Sequence, residues 1–327
     1  MKAGVASPNG VVIQDVPEPK PKPTDILVKV KAIALNRADL GSAKGDTSHG
    51  AAAGKPIGGE FSGEVIEVGA DVRDFKVGDE VYARPRDLRI GTFAEYIAID
   101  QDDVAPKPGS LTLQEAAAVP LVALAAWQIL VDRAHVKPGQ KVLVHAGSGG
   151  LGSTAIQLAK HLGTTVATTA RGKNAELMRS LGADVVVDYT TQDFAEVLSG
   201  YDVVLDSRGG ENLEKSLTVL KPGGQAIGVT GPLDPGFAKQ LGAPKVTGVA
   251  MGLLSRKVRK QARKLGVSYS FLFMQANGTQ LRELASLYDA GHLRPLIDKT
   301  FPLDQTLEAL AYVEQGRANG KVVITLD

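Results

Sequence analysis

The chain has 327 residues, 43% of them hydrophobic and 22% charged, a composition typical of a globular protein long enough for two domains. It contains no cysteine, so disulfide bonds, cysteine nucleophiles and thiolate zinc sites are excluded. The formal net charge of +1 gives no overall reason to expect nucleic acid as a partner. No apolar run is long enough to span a membrane, and the N-terminal residues lack a signal-peptide core, so a cytoplasmic protein is expected.

The first third of the chain is predicted to be rich in β-strands. Short strand-like runs, punctuated by Pro, Gly, Asp and Asn, occupy residues 11–13, 26–35, 64–68, 80–84 and 93–99. Their spacing indicates a compact, partly open barrel or a sandwich. Between Gly41 and Pro56 the residues are small and show no periodicity, which predicts a mobile surface loop.

From Leu111 onward the pattern becomes one of alternating helices and strands. A helix is predicted over 111–131, with an interruption near Pro120. The strands that follow are predicted at residues 141–146, 164–169, 184–188, 201–206, 224–229, 267–274 and 320–326. The further helices are predicted at residues 151–162, 173–181, 192–199, 211–220 and 303–315. This alternation indicates an α/β fold with a doubly wound parallel sheet.

The stretch 141–163 combines an apolar strand, a turn with several glycines and a helix. This arrangement binds nucleotide diphosphates, because glycines permit close approach to the pyrophosphate and the first helical turn offers free N–H groups. We therefore predict that the pyrophosphate is bound by the backbone of Ser148, Gly149, Gly150 and Leu151. An ordinary strand–helix turn is the alternative.

The second strand of this unit ends without the acidic residue that commonly holds the ribose 2′-hydroxyl of NAD. Arg171 and Lys173 stand there instead, and both suit the 2′-phosphate of NADPH. Thr169 is predicted to add a hydroxyl to this contact, and Tyr189 to stack or hydrogen-bond nearby. The alternative is a pair of solvated cations at the start of a helix, where the helix dipole disfavours positive charge.

Several motifs together resemble the medium-chain dehydrogenase/reductase superfamily, and within it the zinc-free quinone and enone reductases. They are HAGSGGLG (145–152), IQLAK (156–160), GGEFSGEVIEVG (58–69), VGDEVYA (77–83), KPGG (221–224) and GRANGKVVI (316–324). The resemblance implies a Rossmann doubly wound parallel sheet plus a GroES-like β-barrel domain. It assigns residues 1–122 with 266–327 to a GroES-like catalytic domain and residues 123–265 to a Rossmann NADP-binding domain. A homodimer is expected as well.

The chain departs from the zinc-dependent members of that superfamily at their metal ligands. By the resemblance, Asn36 replaces a cysteine ligand and Gly59 replaces a histidine ligand. Without a Lewis acid, reduction of a simple carbonyl loses its polarising group, whereas hydride addition to an activated double bond needs only hydrogen bonds and a proton source. We therefore expect no metal, and NADPH-dependent hydride transfer to quinones or to the C=C bond of α,β-unsaturated carbonyls. Leu40 and Gly41 stand where many quinone reductases of the family have a tyrosine, so the substrate family stays open.

Asn36 is the predicted catalytic residue, whose amide would also orient the nicotinamide or a substrate oxygen; a simple turn residue is the alternative. Further cofactor contacts are expected at the strand ends that line the nicotinamide and in segments that resemble the family, at Ser207, Val229, Thr230, Phe271, Leu272, Phe273, Asn319 and Lys321. For residues 271–273 a buried strand is equally compatible, and Lys321 is alternatively a strand-edge charge. His49 is expected to be exposed, and Arg84 is a weaker candidate for a cation that faces the substrate.

Residues 254–265 form a predicted amphipathic helix with an apolar stripe and six cations. It is expected either to bind anionic lipid or a CoA-type phosphate, or to be a solvated helix that covers the active site or a subunit contact. Two other functions remain open from the sequence. One is a zinc-free NADPH-dependent ketone or aldehyde reductase, and the other is a non-catalytic NADPH-binding protein.

Overall fold

The computed structural model describes residues 1–7, 10–43, 54–87 and 89–326. The strands in these ranges are β1 (Lys2–Ser7), β2 (Gly10–Asp15), β3 (Asp25–Leu35), β4 (Phe61–Val68), β5 (Glu80–Ala83), β6 (Tyr96–Asp100), β7 (Val104–Pro106), β8 (Lys141–Val144), β9 (Thr165–Ala170), β10 (Val185–Asp188), β11 (Tyr201–Asp206), β12 (Leu220–Gly228), β13 (Ser268–Phe271), β14 (Ile297–Pro302) and β15 (Lys321–Thr325). The α-helices are α1 (Arg37–Ala43), α2 (Leu113–Ala117), α3 (Pro120–Trp127), α4 (Gly150–His161), α5 (Ala175–Ser180), α6 (Phe194–Val197), α7 (Gly210–Ser216), α8 (Pro235–Gln240), α9 (Lys245–Leu254), α10 (Arg256–Lys264), α11 (Gly278–Asp289) and α12 (Thr306–Glu314).

The chain divides into two compact units. The first is formed by Met1–Leu124 with Gln275–Asp327, and the second by Ala125–Met274. The first division falls close to the predicted boundary at 122–123. The second falls after the predicted boundary at 265–266, because β13 pairs with β12 and thereby extends the parallel sheet of the second unit. We therefore assign residues 266–274 to the second unit.

The first unit is built around β3, whose eleven residues pair with three other strands. The sheet order is β14-β15-β3-β4-β5-β7, with β6 also beside β3. All pairings in this sheet except β14 with β15 are antiparallel. The side chains of Ile33, Phe61 and Phe93 are fully buried in its core. The prediction of a β-rich first domain is thus confirmed.

The second unit contains a wholly parallel sheet with the strand order β10-β9-β8-β11-β12-β13. The order runs outward from β8 in one direction and outward from β11 in the other. Parallel sheets of this kind bind ligands outside the carboxyl ends of the strands, where the order reverses. Every residue of β11 is buried, as expected for a strand with helices on both faces of its sheet. The predicted Rossmann doubly wound sheet is confirmed.

Two segments of the chain have no regular pattern in the sequence. The predicted loop 41–56 is partly helical, since residues 41–43 end α1. Residues 44–53, which include His49, lie outside the described residues, so the predicted mobility of the loop and the exposure of His49 remain predictions. The interruption over 232–266 contains α8, α9 and α10.

Candidate active site

The glycine turn after β8 is shaped by close backbone packing. Ala146 has a φ of 54°, so the chain reverses sharply at the end of the strand. A Cβ atom at Gly147 would lie 2.1 Å from Thr168 Oγ1, and one at Gly152 would lie 2.3 Å from the Ala146 carbonyl oxygen. Neither position has room for a side chain, so glycine is required where α4 packs against the strand end.

The N-terminus of α4 is open to an anion. The capping residue is Gly149, which has no side chain to bond the free N–H groups of the first turn. The hydroxyls of Ser153 and Thr154 do not compete for these groups, because both donate to the Gly150 carbonyl oxygen at 3.1 and 3.0 Å. The Gly149 N–H itself donates to the Ala146 carbonyl oxygen at 3.0 Å, and binding of a pyrophosphate by the backbone from Ser148 to Leu151 remains a prediction.

The Thr169 hydroxyl does not have the exposed position that the predicted contact with a 2′-phosphate requires. Its side chain is buried, and its hydroxyl lies 3.1 Å from Nδ1 of His145 and accepts a hydrogen bond from the Ala146 N–H at 3.2 Å. Nε2 of the same imidazole lies 2.9 Å from Ser216 Oγ. Burial lowers the pKa of His145 to about 4, so the ring is neutral and serves as a spacer between strand ends. We therefore correct the prediction: Thr169 supports the glycine turn and has no hydroxyl free for a 2′-phosphate.

The two predicted phosphate cations stand on one exposed turn after β9. Arg171 donates from Nε to the Tyr189 hydroxyl at 3.0 Å, so these two predicted residues do meet. Lys173 lies two residues further in a short 3₁₀ turn and is also exposed. Asp188 lies beside this turn. Its carboxyl has a lowered pKa, mainly because the Thr190 hydroxyl donates a hydrogen bond to it, and the Thr190 backbone N–H adds a second. The carboxylate helps to hold the turn that presents the cations.

Ser207, Val229 and Thr230 follow the neighbouring strands β11 and β12, at the edge where the glycine turn lies. Ser207 donates to the His145 carbonyl oxygen at 3.3 Å, and the Val229 N–H donates to the Asp206 carbonyl oxygen at 3.0 Å. Asp206 is buried, which raises the pKa of its carboxyl, and it accepts hydrogen bonds from the backbone of the turn after β11. Ser207 and Val229 are half-buried and Thr230 is exposed, so all three are accessible from this edge.

The segment 271–273 continues the same edge at the end of β13. Phe271 and Leu272 are buried, and the Leu272 N–H donates to the Gly228 carbonyl oxygen at 2.9 Å. The Phe273 carbonyl oxygen accepts a hydrogen bond from Gln240 Nε2 at 2.7 Å. The side chains of Phe271 and Leu272 thus have the buried-strand role that the sequence also allowed, and a cofactor contact through their backbone remains a prediction.

In the first unit the structure brings Asn36 and Lys321 together. The Lys321 ammonium donates to the Leu35 carbonyl oxygen at 2.9 Å, to Asn36 Oδ1 at 2.5 Å and to Glu60 Oε1 at 2.6 Å. Lys321 is 5% exposed and Glu60 is 0% exposed, so this is a buried ion pair. Lys321 is therefore neither a free strand-edge charge nor a side chain with donors left for the cofactor.

The ion pair fixes the orientation of the Asn36 amide. An ammonium can only donate, so Oδ1 must face Lys321, and Nδ2 then donates to Glu60 Oε1 at 2.8 Å. The second N–H of the amide makes only a long bond of 3.4 Å to the Ala34 carbonyl oxygen. Glu60 is held in turn by the Leu121 N–H at 2.8 Å, at the N-terminus of α3 where negative charge is favoured.

Two further charged side chains border this cluster. The Asn36 N–H donates to Asp39 Oδ2 at 2.7 Å, which closes the first turn of α1 in the manner of a capping box. Asp39 is buried, and burial raises the pKa of its carboxyl to about 7. Arg84 is also buried and donates to Asp87 Oδ1 at 2.6 Å, so it is bound to a carboxylate within its own unit. Asn319 is half-buried in the turn before β15, and its contact with the cofactor remains a prediction.

Comparison with known proteins places this geometry in a family. The profile described as "Alcohol dehydrogenase GroES-like domain" matches residues 22–109, and the profile described as "Zinc-binding dehydrogenase" matches residues 181–324. The mitochondrial NAD(P)H oxidoreductase RTN4IP1 of Danio rerio is 36% identical over 93% of this chain and 84% of its own length. The chloroplastic NADPH-dependent alkenal/one oxidoreductase of Arabidopsis thaliana is 33% identical over 99% of this chain and 79% of its own length.

A solved structure of the quinone oxidoreductase from Coxiella burnetii matches with a TM-score of 0.85 and 30% identity, covering 100% of this chain and 98% of that one. The chain belongs to the medium-chain dehydrogenase/reductase superfamily. Membership confirms the predicted combination of a GroES-like domain with a Rossmann sheet, and the predicted oxidoreductase activity with a nicotinamide dinucleotide.

The side chains at the family's metal position do not suit a zinc ion in this member of the superfamily. Asn36 offers an amide oxygen that already accepts from an ammonium, and Gly59 offers no side chain. Asp39 and Glu60 are the nearest carboxyl groups, of which Asp39 accepts a hydrogen bond from the Asn36 N–H and Glu60 is paired with Lys321. A cation would have to displace that ammonium from its acceptors. In the described ranges no group of three or more His, Asp or Glu side chains is placed to hold a metal ion.

Sequence reasoning missed the roles of Glu60, Asp39 and His145. Glu60 lies inside the motif at 58–69, but nothing local marks it as the partner of a lysine near the C-terminus. His145 directly follows an apolar strand and precedes the glycine turn, which is a signal for a buried supporting residue. No helix of the described chain is long and apolar enough to cross a membrane.

Proposed function

We propose that this chain is an NADPH-dependent reductase that transfers hydride to quinones or to the C=C bond of α,β-unsaturated carbonyls without a metal ion. The observation that carries the proposal is the buried Lys321–Glu60 ion pair. It engages Oδ1 and one N–H of Asn36, at the position where, by the resemblance, zinc-dependent members of the superfamily have a ligand. Two of the similar proteins named above are an alkenal/one oxidoreductase and a quinone oxidoreductase, which supports this substrate class.

The reaction requires the protein mainly to position the cofactor, the substrate and the hydrogen-bond donors. Bound NADPH would supply a hydride to the β-carbon, and the electron pair of the double bond would move onto the carbonyl oxygen as an enolate. A proton from solvent would then add at the α-carbon, which would give the saturated carbonyl compound and NADP⁺ as products. Hydrogen-bond donors aimed at the enolate oxygen lower the barrier. The weakly bonded second N–H of Asn36 is the donor that we assign to this role.

The test is steady-state oxidation of NADPH against a matched panel of quinones, enones and saturated ketones. Turnover of quinones or enones at least 10²-fold above that of the ketones is expected, because a ketone needs a Lewis acid to polarise it. Preference for saturated ketones or aldehydes would instead favour the alternative carbonyl reductase. Tight NADPH binding without turnover of any compound would favour the non-catalytic binding protein.

Replacement of Asn36 by alanine is expected to lower kcat for the best enone or quinone by up to about 10²-fold, because one donor to the enolate oxygen is lost. The dissociation constant of NADPH, measured by fluorescence titration, should stay within a few-fold of that of the unchanged protein. An Asn36→Ala variant with full turnover would show that Asn36 is only a turn residue.

Purified protein is expected to contain no stoichiometric zinc and to keep its activity in the presence of a chelator. The reason is the donor set, in which an amide, a glycine and an ion-paired carboxylate replace the anionic and imidazole ligands that zinc prefers. Elemental analysis of the intact chain is the measurement. One zinc per chain, lost together with activity on chelation, would contradict this assignment.

The expected homodimer and cytoplasmic location also remain predictions.

A further inference from the structure

The surface helix α9 exposes four large apolar side chains, while Met251 is buried and Gly248 and Gly252 are half-buried on its other side. Val246, Val249, Leu253 and Leu254 are between 65% and 73% exposed, and their spacing places them on one stripe of the helix. The opposite side packs on α8 through small residues. A Cβ atom at Gly248 would lie 3.6 Å from Ala238 Cβ, and one at Gly252 would lie 3.3 Å from Pro235 Cγ. An exposed stripe of this kind marks an interaction surface, since a solvated helix presents polar residues to water.

The adjoining helix α10 carries the positive charge. Its Val258 and Ala262 are buried, and its six cations and Gln261 occupy the remaining positions. Within the described residues Lys257 is the only one of these six cations with a carboxylate partner, Glu214. The guanidinium of Arg259 lies 3.6 Å from the Cβ position of Gly252, so α10 contacts the packed side of α9, and only Ser255 separates the two helices in the chain.

The charge of this region contrasts with that of the whole chain. Residues 235–265 contain eight cations and no acidic residue, although the net charge of the chain is only +1. The other residues therefore carry a net charge of −7 together. Positive charge is thus concentrated beside the exposed apolar stripe, which is the combination found in helices that lie on anionic lipid surfaces.

We propose that α9 and α10 form a docking surface for a bilayer that contains anionic phospholipid, with the α9 stripe entering the headgroup region and the α10 cations binding the phosphates. A second copy of the chain, placed symmetrically on the same surface, would bring the seven cations of α9 and α10 against seven, which like-charge repulsion opposes. Nucleic acid would leave the apolar stripe without a partner, because no aromatic side chain lies on the stripe for bases to stack on.

Binding of the full-length chain to vesicles tests the proposal. Flotation is measured with phosphatidylcholine vesicles and with vesicles that also contain about 30 mol % phosphatidylglycerol, at low and at high salt. We expect binding to the anionic vesicles alone, weakened by salt. Arg256→Gln/Lys260→Gln/Arg263→Gln should reduce the partition coefficient on the order of 100-fold, and Val249→Ser/Leu253→Ser about tenfold or more.

The control is Lys76→Gln/Val77→Ser, which removes one exposed cation and one exposed apolar side chain from the first unit and should bind like the unchanged chain. All variants replace exposed side chains, so their thermal midpoints should match, which is measured in parallel. Absence of binding to anionic vesicles at low salt, equal binding to neutral vesicles, or normal binding by Val249→Ser/Leu253→Ser would each overturn the proposal. A fall in oligomer mass caused by Val249→Ser/Leu253→Ser, without vesicle binding by the unchanged chain, would instead assign the surface to a subunit contact.

Discussion

Replacement of Lys321 by methionine is expected to lower the free energy of unfolding of the first unit by about 3–5 kcal/mol. The change leaves Glu60 fully buried with its charge uncompensated, and it removes the donor that fixes Asn36 Oδ1. Methionine has a similar length, so the cost arises from charge rather than from a cavity. Urea unfolding followed by a probe in the first unit is the measurement.

A double-mutant cycle separates the ion pair from general damage to the core. Glu60→Gln alone should also lower the free energy of unfolding of the first unit, because it leaves the Lys321 ammonium buried without a carboxylate. The double variant Lys321→Met/Glu60→Gln should be clearly more stable than the sum of the two single effects predicts, since neither charge is then left unpaired. The matched control is Lys76→Met, a lysine with an 85% exposed side chain whose partner Asp79 is 3.9 Å away, and it should change stability little. Additive single effects would show that Lys321 and Glu60 do not act as a pair.

Removal of Arg171 and Lys173 together is expected to weaken NADPH binding by tenfold to several-hundredfold while leaving NADH binding nearly unchanged. Each charge-assisted contact with the 2′-phosphate contributes about 1.5–3 kcal/mol before solvent screening, and both side chains are exposed, which reduces the total. The measurement is titration of both cofactors into the unchanged chain and into Arg171→Ala/Lys173→Ala. The discrimination between the cofactors should also weaken as salt is added.

The control for this prediction is Lys141→Ala/Arg179→Ala, which removes the same charge from the same unit. Lys141 begins β8 at the edge of the sheet opposite to the glycine turn, and Arg179 lies in the last turn of α5. NADPH affinity should fall by much less in this variant, because neither side chain is on the turn after β9. Equal affinity of the unchanged chain for NADPH and NADH would refute the assignment of the cations to the 2′-phosphate.

The cofactor unit was largely predictable because its features are local in the chain. The strand, the turn and the helix over 141–163 follow from apolar runs, glycines and helical spacing within about twenty residues. Arg171 and Lys173 immediately follow a predicted strand, so their position at the carboxyl edge follows from the parallel sheet. Helix α11 was not predicted, although Leu281, Leu284 and Tyr288 repeat at helical spacing and are buried. Strand β7, which has only three residues, was not predicted either. The pattern of α11 was therefore readable from the sequence, whereas a strand as short as β7 depends on the neighbours that it packs against.

The sequence by itself therefore determined the class of the fold, the glycine turn and the cations expected to bind phosphate, because each is written in a few adjacent residues. Only the tertiary structure decided that Lys321 meets Asn36, at a separation of 285 residues, because β15 pairs antiparallel with β3 in the register that sets Val322 opposite Leu35. It also decided that Thr169 is engaged by His145 and that α9 turns its valines and leucines outward. Strand register and helix orientation are set by the packing of distant segments, and no local propensity specifies them.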